Sequence, residues 1–389
     1  MSKQNDNLAI LRANLFTPGY DGRWGLPLLL WGDPGSGKTA AAKAEARAAG
    51  LGDFCALLGS TLDPADIGGY PVPNPNDPRF VRALLPAFVE AIDGWENKRG
   101  VLFLDELTTV TSLTQAALLG VTLDGRVGAY TFDPRVRCIA AANPVELAAN
   151  GTPLAPPTVN RFVHLDWQPC DLDQWGAILL GETQGIEPID ADAVEREVLA
   201  VWRERYDTAI ATVLAFLSCR PELRQVTPRA GDDARAWPSS RTWEFSARAL
   251  ASAAIHGLTT DQRDLWLEGT VGTAAAREFA TWLKDADLPD ARALLDGTVE
   301  WAPVAYRPDR TSAVLRSIVA VLTADKGAGN PSYGARFAAA AKVITVAADT
   351  HRDFAARSGI ALFSLDAGQA ARSFGRDLVG FRAFLQAVK

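Results

Sequence analysis

The sequence predicts an α/β fold: a five-stranded parallel sheet covered by helices within residues 1–170, followed by helices to the C-terminus. Three observations carry that expectation. Short apolar runs alternate with helical patterns from residue 26 to 170, as strands and crossover helices do. After Pro169 the apolar runs give way to helical periodicity. A glycine-rich turn stands between the first apolar run and the first alanine-rich helix, at the place where parallel sheets bind ligands.

Taken in order, 26–31 is a strand and 39–49 an alanine-rich helix stopped by Gly50, a residue suited to the position after a helix. Residues 53–59 form the second strand and 83–96 a helix. The run 101–104 is a buried strand, 113–119 is helical, and 135–141 and 161–167 complete the five strands. Helices follow at 171–181, 191–219 and 242–256, the last two separated by a breaker-rich loop with Pro221, Pro228, Gly231 and Pro238. Another helix is expected at 268–284, a boundary across 285–310, and further helices beyond, including 333–349. No internal repeat or low-complexity tail is visible.

Composition narrows the class. A chain of 389 residues suits two or three packed units. With 48% hydrophobic and 22% charged residues, it is neither disordered nor fibrous. The net charge of −7 argues against a chain-wide nucleic-acid footprint but leaves room for a local basic channel. No run reaches the roughly 20 apolar residues that span a bilayer, and the polar N-terminus lacks a signal-peptide core. Cys55, Cys138, Cys170 and Cys219 are too far apart for a zinc knuckle, and His164, His256 and His351 are equally scattered. The expectation is a soluble cytoplasmic protein.

The sharpest motif is Gly32-Asp33-Pro34-Gly35-Ser36-Gly37-Lys38-Thr39, followed by Ala40. It has the phosphate-loop spacing GxxxxGK[ST], after a strand and at a helix start. Its glycines let successive N–H groups face phosphate oxygens, and the helix N-terminus adds positive potential. Lys38 is expected at the β- and γ-phosphates of a nucleotide, and the Thr39 hydroxyl on Mg²⁺. The second motif, Val101-Leu102-Phe103-Leu104-Asp105-Glu106, is a buried strand delivering two carboxylates at its C-terminal end. Asp105 is expected to hold Mg²⁺ and Glu106 to polarise the attacking water.

Together the motifs resemble the AAA+ ATPases. In that family the polar residue after the fourth strand, here Asn143 in Ala140-Ala141-Ala142-Asn143-Pro144, orients water near the γ-phosphate. Asn160-Arg161-Phe162 is similar to the segment carrying an arginine finger that reaches a neighbouring subunit's nucleotide. The resemblance implies a second sensor arginine at the start of a lid helix. Arg241, after Pro238-Ser239-Ser240, is the choice, with Arg229 as rival.

Two segments suggest the branch. Asp63-Pro64-Ala65-Asp66-Ile67-Gly68-Gly69 resembles a helix-2 insert. In the segment from Thr122 to Gly128, Asp124-Gly125 is read as the turn of a hairpin before the sensor strand. This pair resembles the MoxR group, and the resemblance as a whole covers about residues 8–256. The resemblance implies an Mg-ATP-dependent ring, a homo-oligomer and by expectation a hexamer, that remodels or activates a protein partner, often one with a von Willebrand A domain. A nucleic-acid motor and a nucleotide-gated scaffold with little turnover are the alternatives. The expected organisation is a nucleotide-binding core at 1–170, a helical lid at 171–284 and a helical extension at 285–389. Arg126, Arg135 and Arg137 are read as solvated strand-edge residues.

Overall fold

The computed structural model describes residues 3–77, 79–148, 151–180, 188–228, 235–286 and 288–373. Contacts group the chain into two units. One holds Met1–Ala200 and Thr227–Ala276, the other Val201–Val226 and Arg277–Lys389. The expected lid is therefore shared out: 171–200 and 227–276 fall in the first unit, 201–226 and 277–284 in the second.

In the first unit, α1 (Lys3–Leu15) precedes β1 (Leu28–Trp31), α2 (Lys38–Ala48) and β2 (Asp53–Leu58). Next come α3 (Pro64–Gly68), a hairpin of β3 (Tyr70–Pro73) and β4 (Val81–Leu84), α4 (Ala87–Asp93), β5 (Gly100–Asp105) and α5 (Ser112–Asp124). A second hairpin of β6 (Arg126–Val127) and β7 (Tyr130–Thr131) leads to β8 (Val136–Ala142), α6 (Pro156–Val159) and β9 (Val163–Asp166). The helices α7 (Leu172–Leu179), α9 (Ser240–Ile255) and α10 (Thr260–Val271) follow, while α8 (Ala191–Cys219) continues past Ala200 and α11 (Thr273–Ala286) past Ala276 into the second unit.

The five strands β2, β5, β8, β1 and β9 lie in that order and are all parallel. The four apolar residues of β1 are all buried, and so are the first five of β5. Continuous burial on both faces is what a sheet wrapped by helices demands of its central strands. Leu29, Leu102, Leu104 and Ala140 join Val89, Leu118, Val121 and Phe132 in one apolar core.

Several local expectations are corrected. The helix expected from residue 83 begins only at Ala87, because Pro86 is extended and a proline disfavours the helical region for the residue before it. Residues 81–84 pair instead with β3. The Asp124-Gly125 dipeptide is not a hairpin turn. Asp124 ends α5, and Gly125, at φ 59°, is its left-handed stop. The hairpin exists one step later, between Val127 and Tyr130. The single helix expected at 268–284 is two, divided at Gly272, whose φ is 83°. The first helix, α1, was not anticipated.

Arg137 is the largest departure from a solvated strand edge. It lies on the central strand β8 and is 1% exposed. Its guanidinium donates to Leu15 O at 3.0 Å, Arg135 O at 2.6 Å and Glu195 Oε1 at 2.5 Å. Arg99 donates to the other Glu195 oxygen at 3.2 Å and to Asp192. Burial lowers the Arg137 pKa to about 10.

The second unit is helical. It includes α12 (Ala291–Leu295), α13 (Pro308–Ala328), α14 (Tyr333–Ala348), α15 (Arg352–Leu365) and α16 (Ala367–Ser373). Leu315, Ile318, Leu322, Phe337, Ile344 and Leu362 form its core. Arg336 ties α14 to Asp325 of α13 at 2.8 Å and to Asp296 at 2.6 Å. Among the described residues no helix is long and apolar enough to cross a membrane.

Candidate functional site

The site gathers at the carboxyl ends of β1, β5 and β8. Gly32 leaves β1 with its N–H donating to Ala142 O of β8 at 3.2 Å. A Cβ at Gly32 would stand 2.8 Å from the Trp167 carbonyl oxygen, so the chain passes there only without a side chain. Asp33 O then accepts from the Ser36 hydroxyl at 2.7 Å, closing the turn around Pro34. Gly35 and Gly37 have φ of 77° and 81°, and a Cβ on either would meet nothing within 4 Å. The loop is thus left-handed at both glycines and faces open space, which fits a cradle for phosphate oxygens.

From this turn α2 begins, with Lys38, Thr39 and Ala40 in its first turn. The Lys38 Nζ donates to Gly32 O at 2.7 Å, Asp33 O at 2.9 Å and Asn143 Oδ1 at 2.9 Å. Burial lowers its pKa, while Asp105 and Asp33 act in the opposite direction. The Thr39 hydroxyl donates to Asp105 Oδ2 at 2.6 Å. The other Asp105 oxygen accepts from the Glu106 N–H at 2.9 Å. Phosphate-loop lysine, threonine, strand-end carboxylate and Asn143 are therefore brought together as the sequence implied.

Glu106 has φ 54° and ψ 45°, a left-handed conformation that non-glycine residues rarely adopt. Behind it the Thr109 hydroxyl donates to Glu106 O at 2.8 Å, and the Thr108 hydroxyl donates to Asn143 O at 3.0 Å. Gly59 lets the neighbouring β2 end come close: a Cβ there would lie 2.6 Å from Glu106 O. Strain of this kind persists where surrounding structure enforces it.

The donors at this site suit a nucleotide with Mg²⁺. Thr39 and Asp105 present a hydroxyl and a carboxylate side by side, the hard oxygen donors that magnesium uses when phosphates and waters complete its shell. No cluster of three or more His, Cys, Asp or Glu side chains that could hold a metal by itself occurs among the described residues.

Arg161 lies elsewhere. It precedes β9, in which Val163 pairs with Leu28 and Asp166 with Trp31. The whole of β9, roughly 10 Å, separates it from the level of the phosphate loop. It sits at the amino end of the parallel sheet, with its NH1 group donating to Pro157 O at 3.0 Å. Burial lowers its pKa, and the Arg241 charge lowers it further. Arg241 belongs to the same end: one residue before α9, the Ser239 hydroxyl donates to Asn160 Oδ1 at 3.1 Å. The start of α9, with Arg241 in its first turn, thus lies beside the Asn160-Arg161 turn. Arg229, the rival of Arg241, lies outside the described residues.

Three contributors escaped the sequence reading. Arg235 stacks over Trp31, the residue before Gly32, at 4.4 Å from the ring centre, and donates to Asp166 Oδ1 at 2.7 Å. The Trp167 indole donates to Ser36 O at 3.2 Å, bracing the loop. The N-terminal helix reaches the same edge through Asn7, which donates to Asp166 O at 2.8 Å. A breaker-rich loop and a polar N-terminus carry no periodic signal for such contacts.

Residues 27–162 match the model of the AAA domain, dynein-related subfamily. That span begins at β1 and ends at the turn before β9. A solved structure from Cytophaga hutchinsonii, described as a presumed ATPase, is 20% identical. The match covers 69% of this chain and 81% of that one, with a TM-score of 0.45. No curated protein matches the chain significantly.

Proposed function

We propose that this chain, whose residues 27–162 match the model of the AAA domain of the dynein-related subfamily, is an Mg-ATP-dependent ATPase of MoxR type that works as a ring on a protein partner. The observation that carries the proposal is the convergence of Lys38 with Asn143 and of Thr39 with Asp105, directly beside left-handed Glu106.

In this reading the open backbone of Gly35 and Gly37 receives the phosphates. Lys38 exchanges its carbonyl and Asn143 partners for phosphate oxygens. Thr39 and Asp105 would hold a magnesium ion, which would neutralise charge at the transferred phosphoryl group. The Glu106 carboxylate orients the attacking water, and Asn143 senses whether the γ-phosphate is present. Arg161 stands at the far end of the sheet, so its guanidinium serves a nucleotide bound to an adjacent copy. Arg241, next to it, serves that same interface. The resulting dependence of one copy's site on another's arginine is the basis for the ring, and a hexamer is the expected size.

The two hairpins support the MoxR assignment. The helix α3 has Asp63 as its N-cap and a reciprocal Asp66 bond, and it leads into β3–β4, which exposes Tyr70, Phe80, Val81 and Leu84. Exposed apolar tips of this kind suit contact with a polypeptide. The test is turnover, with sizing in the presence and absence of ATP. Wild-type protein hydrolyses ATP. Glu106→Gln retains bound ATP in the assembled state while turnover falls about a thousandfold. Near-normal hydrolysis by that variant removes the assigned role of Glu106, and an absence of ATP binding by wild type removes the whole proposal.

A further inference from the structure

The second unit contains a groove of about 390 Å³ between α8, α13 and α15. Its walls are apolar: Ile210 and Leu214 from α8, Val319 and Ala320 from α13, Phe354 and Ala361 from α15. Two arginines line it, Arg316 from α13 and Arg357 from α15. Among the described residues neither has a carboxylate partner within ion-pair distance, in a unit where Arg292, Arg307 and Arg336 are all paired. Arg316 is part-buried, and burial followed by the Arg357 charge lowers its pKa.

A further polar group lines the same groove. Ser312 stands one helical turn before Arg316 and is 2% exposed. Its hydroxyl is buried without a hydrogen-bond partner. Buried hydroxyls normally find a partner, and a helical serine has the carbonyl four residues earlier within reach. Here the usual choice is not taken. Two like charges, one from each of two helices, and an unsatisfied hydroxyl along one groove form an arrangement that an anion completes.

We propose that this groove is a binding site for a small organic anion, a carboxylate or phosphate monoester on an apolar body, with its head group held by Arg316, Arg357 and Ser312. The body lies against Phe354, Leu214 and Val319. Asp207, also on the groove wall, limits the charge of the ligand. Its carboxyl has a raised pKa through burial, eased by Arg203 at 4.0 Å. When ionised it leaves the groove one net positive charge, which matches a single head group and disfavours polyphosphates and nucleic acid.

The test is calorimetric titration of the full chain carrying Lys38→Ala, so that the phosphate loop does not compete. The probes are phenyl phosphate, hydrocinnamate and inorganic phosphate. Saturable binding of one aromatic anion or both, tighter than inorganic phosphate, is the expected result, and the better of the two identifies the head group. Arg357→Gln, an exposed position, weakens binding about tenfold, and Arg316→Gln at least as much. Circular dichroism confirms that each variant keeps its helices. The proposal is overturned by the absence of saturable binding, by affinity that Arg357→Gln leaves unchanged, or by inorganic phosphate binding as tightly as phenyl phosphate.

Discussion

The Nζ of Lys38 donates to Oδ1 of Asn143 at 2.9 Å, across 105 residues of sequence. The amide thus occupies one coordination position of the ammonium that a phosphate oxygen would take. Replacing Asn143 with Ala removes that tether and, in the function proposed above, the group that senses the γ-phosphate. Turnover is expected to fall about a hundredfold while ATP affinity changes little. Steady-state kinetics beside nucleotide titration give the answer, and a parallel loss of affinity would point to a structural role instead.

Arg161 and the phosphate loop occupy opposite ends of the sheet. Arg161→Ala protein is therefore expected to bind ATP normally and to hydrolyse it about a thousandfold more slowly. Mixed with Lys38→Ala subunits, it should recover measurable activity, because intact sites then form between unlike copies. Failure to recover at every mixing ratio would exclude a shared site.

His164 gives a pH signature. Its Nδ1 accepts from the Trp31 indole at 2.9 Å, and its Nε2 hydrogen bonds Val159 O at 3.0 Å, so the ring is satisfied as neutral imidazole. Burial holds its pKa down to about 4. The unfolded chain takes up the proton near pH 6.5, so this contribution to stability is complete above that value and is lost as pH falls toward the folded value. Going from pH 7 to pH 5 should remove about 2 kcal/mol. Urea melts at both values, compared with His164→Gln, isolate the effect. An unchanged difference in the variant would assign the loss to other groups.

Glu195 pairs with two buried arginines, Arg137 and Arg99. Glu195→Ala leaves both without that partner in an apolar setting and should cost about 3–5 kcal/mol. The denaturation midpoint of the first unit reports it. A shift below about 1 kcal/mol would mean that water already reaches the pair.

Much of this architecture was legible because its signals are local. Strands β1 and β5 announce themselves as short unbroken apolar runs, and the phosphate loop by glycine spacing between strand and helix. What escaped depends on choices that neighbouring residues make. Asp124-Gly125 suits a helix end as well as a hairpin, and only the pairing of Val127 with Tyr130 decides between them. Pro86 could begin a helix or interrupt one, and the partner strand β3 decides that. Arg137 looks like an edge cation until Glu195, 58 residues later, is folded against it. Arg241 was assigned by its helix-cap context, which fixes where α9 starts but not which end of the sheet it starts beside.

The left-handed turn at Glu106 has a last consequence. Glycine would sit there with less strain, by about 1 kcal/mol, so selection for a tougher fold alone would tend to erase the acid. Keeping glutamate at φ 54° means that this chain tolerates a weaker backbone in exchange for a carboxylate at that spot. A relative that had ceased to turn over nucleotide would be free to relax at this residue.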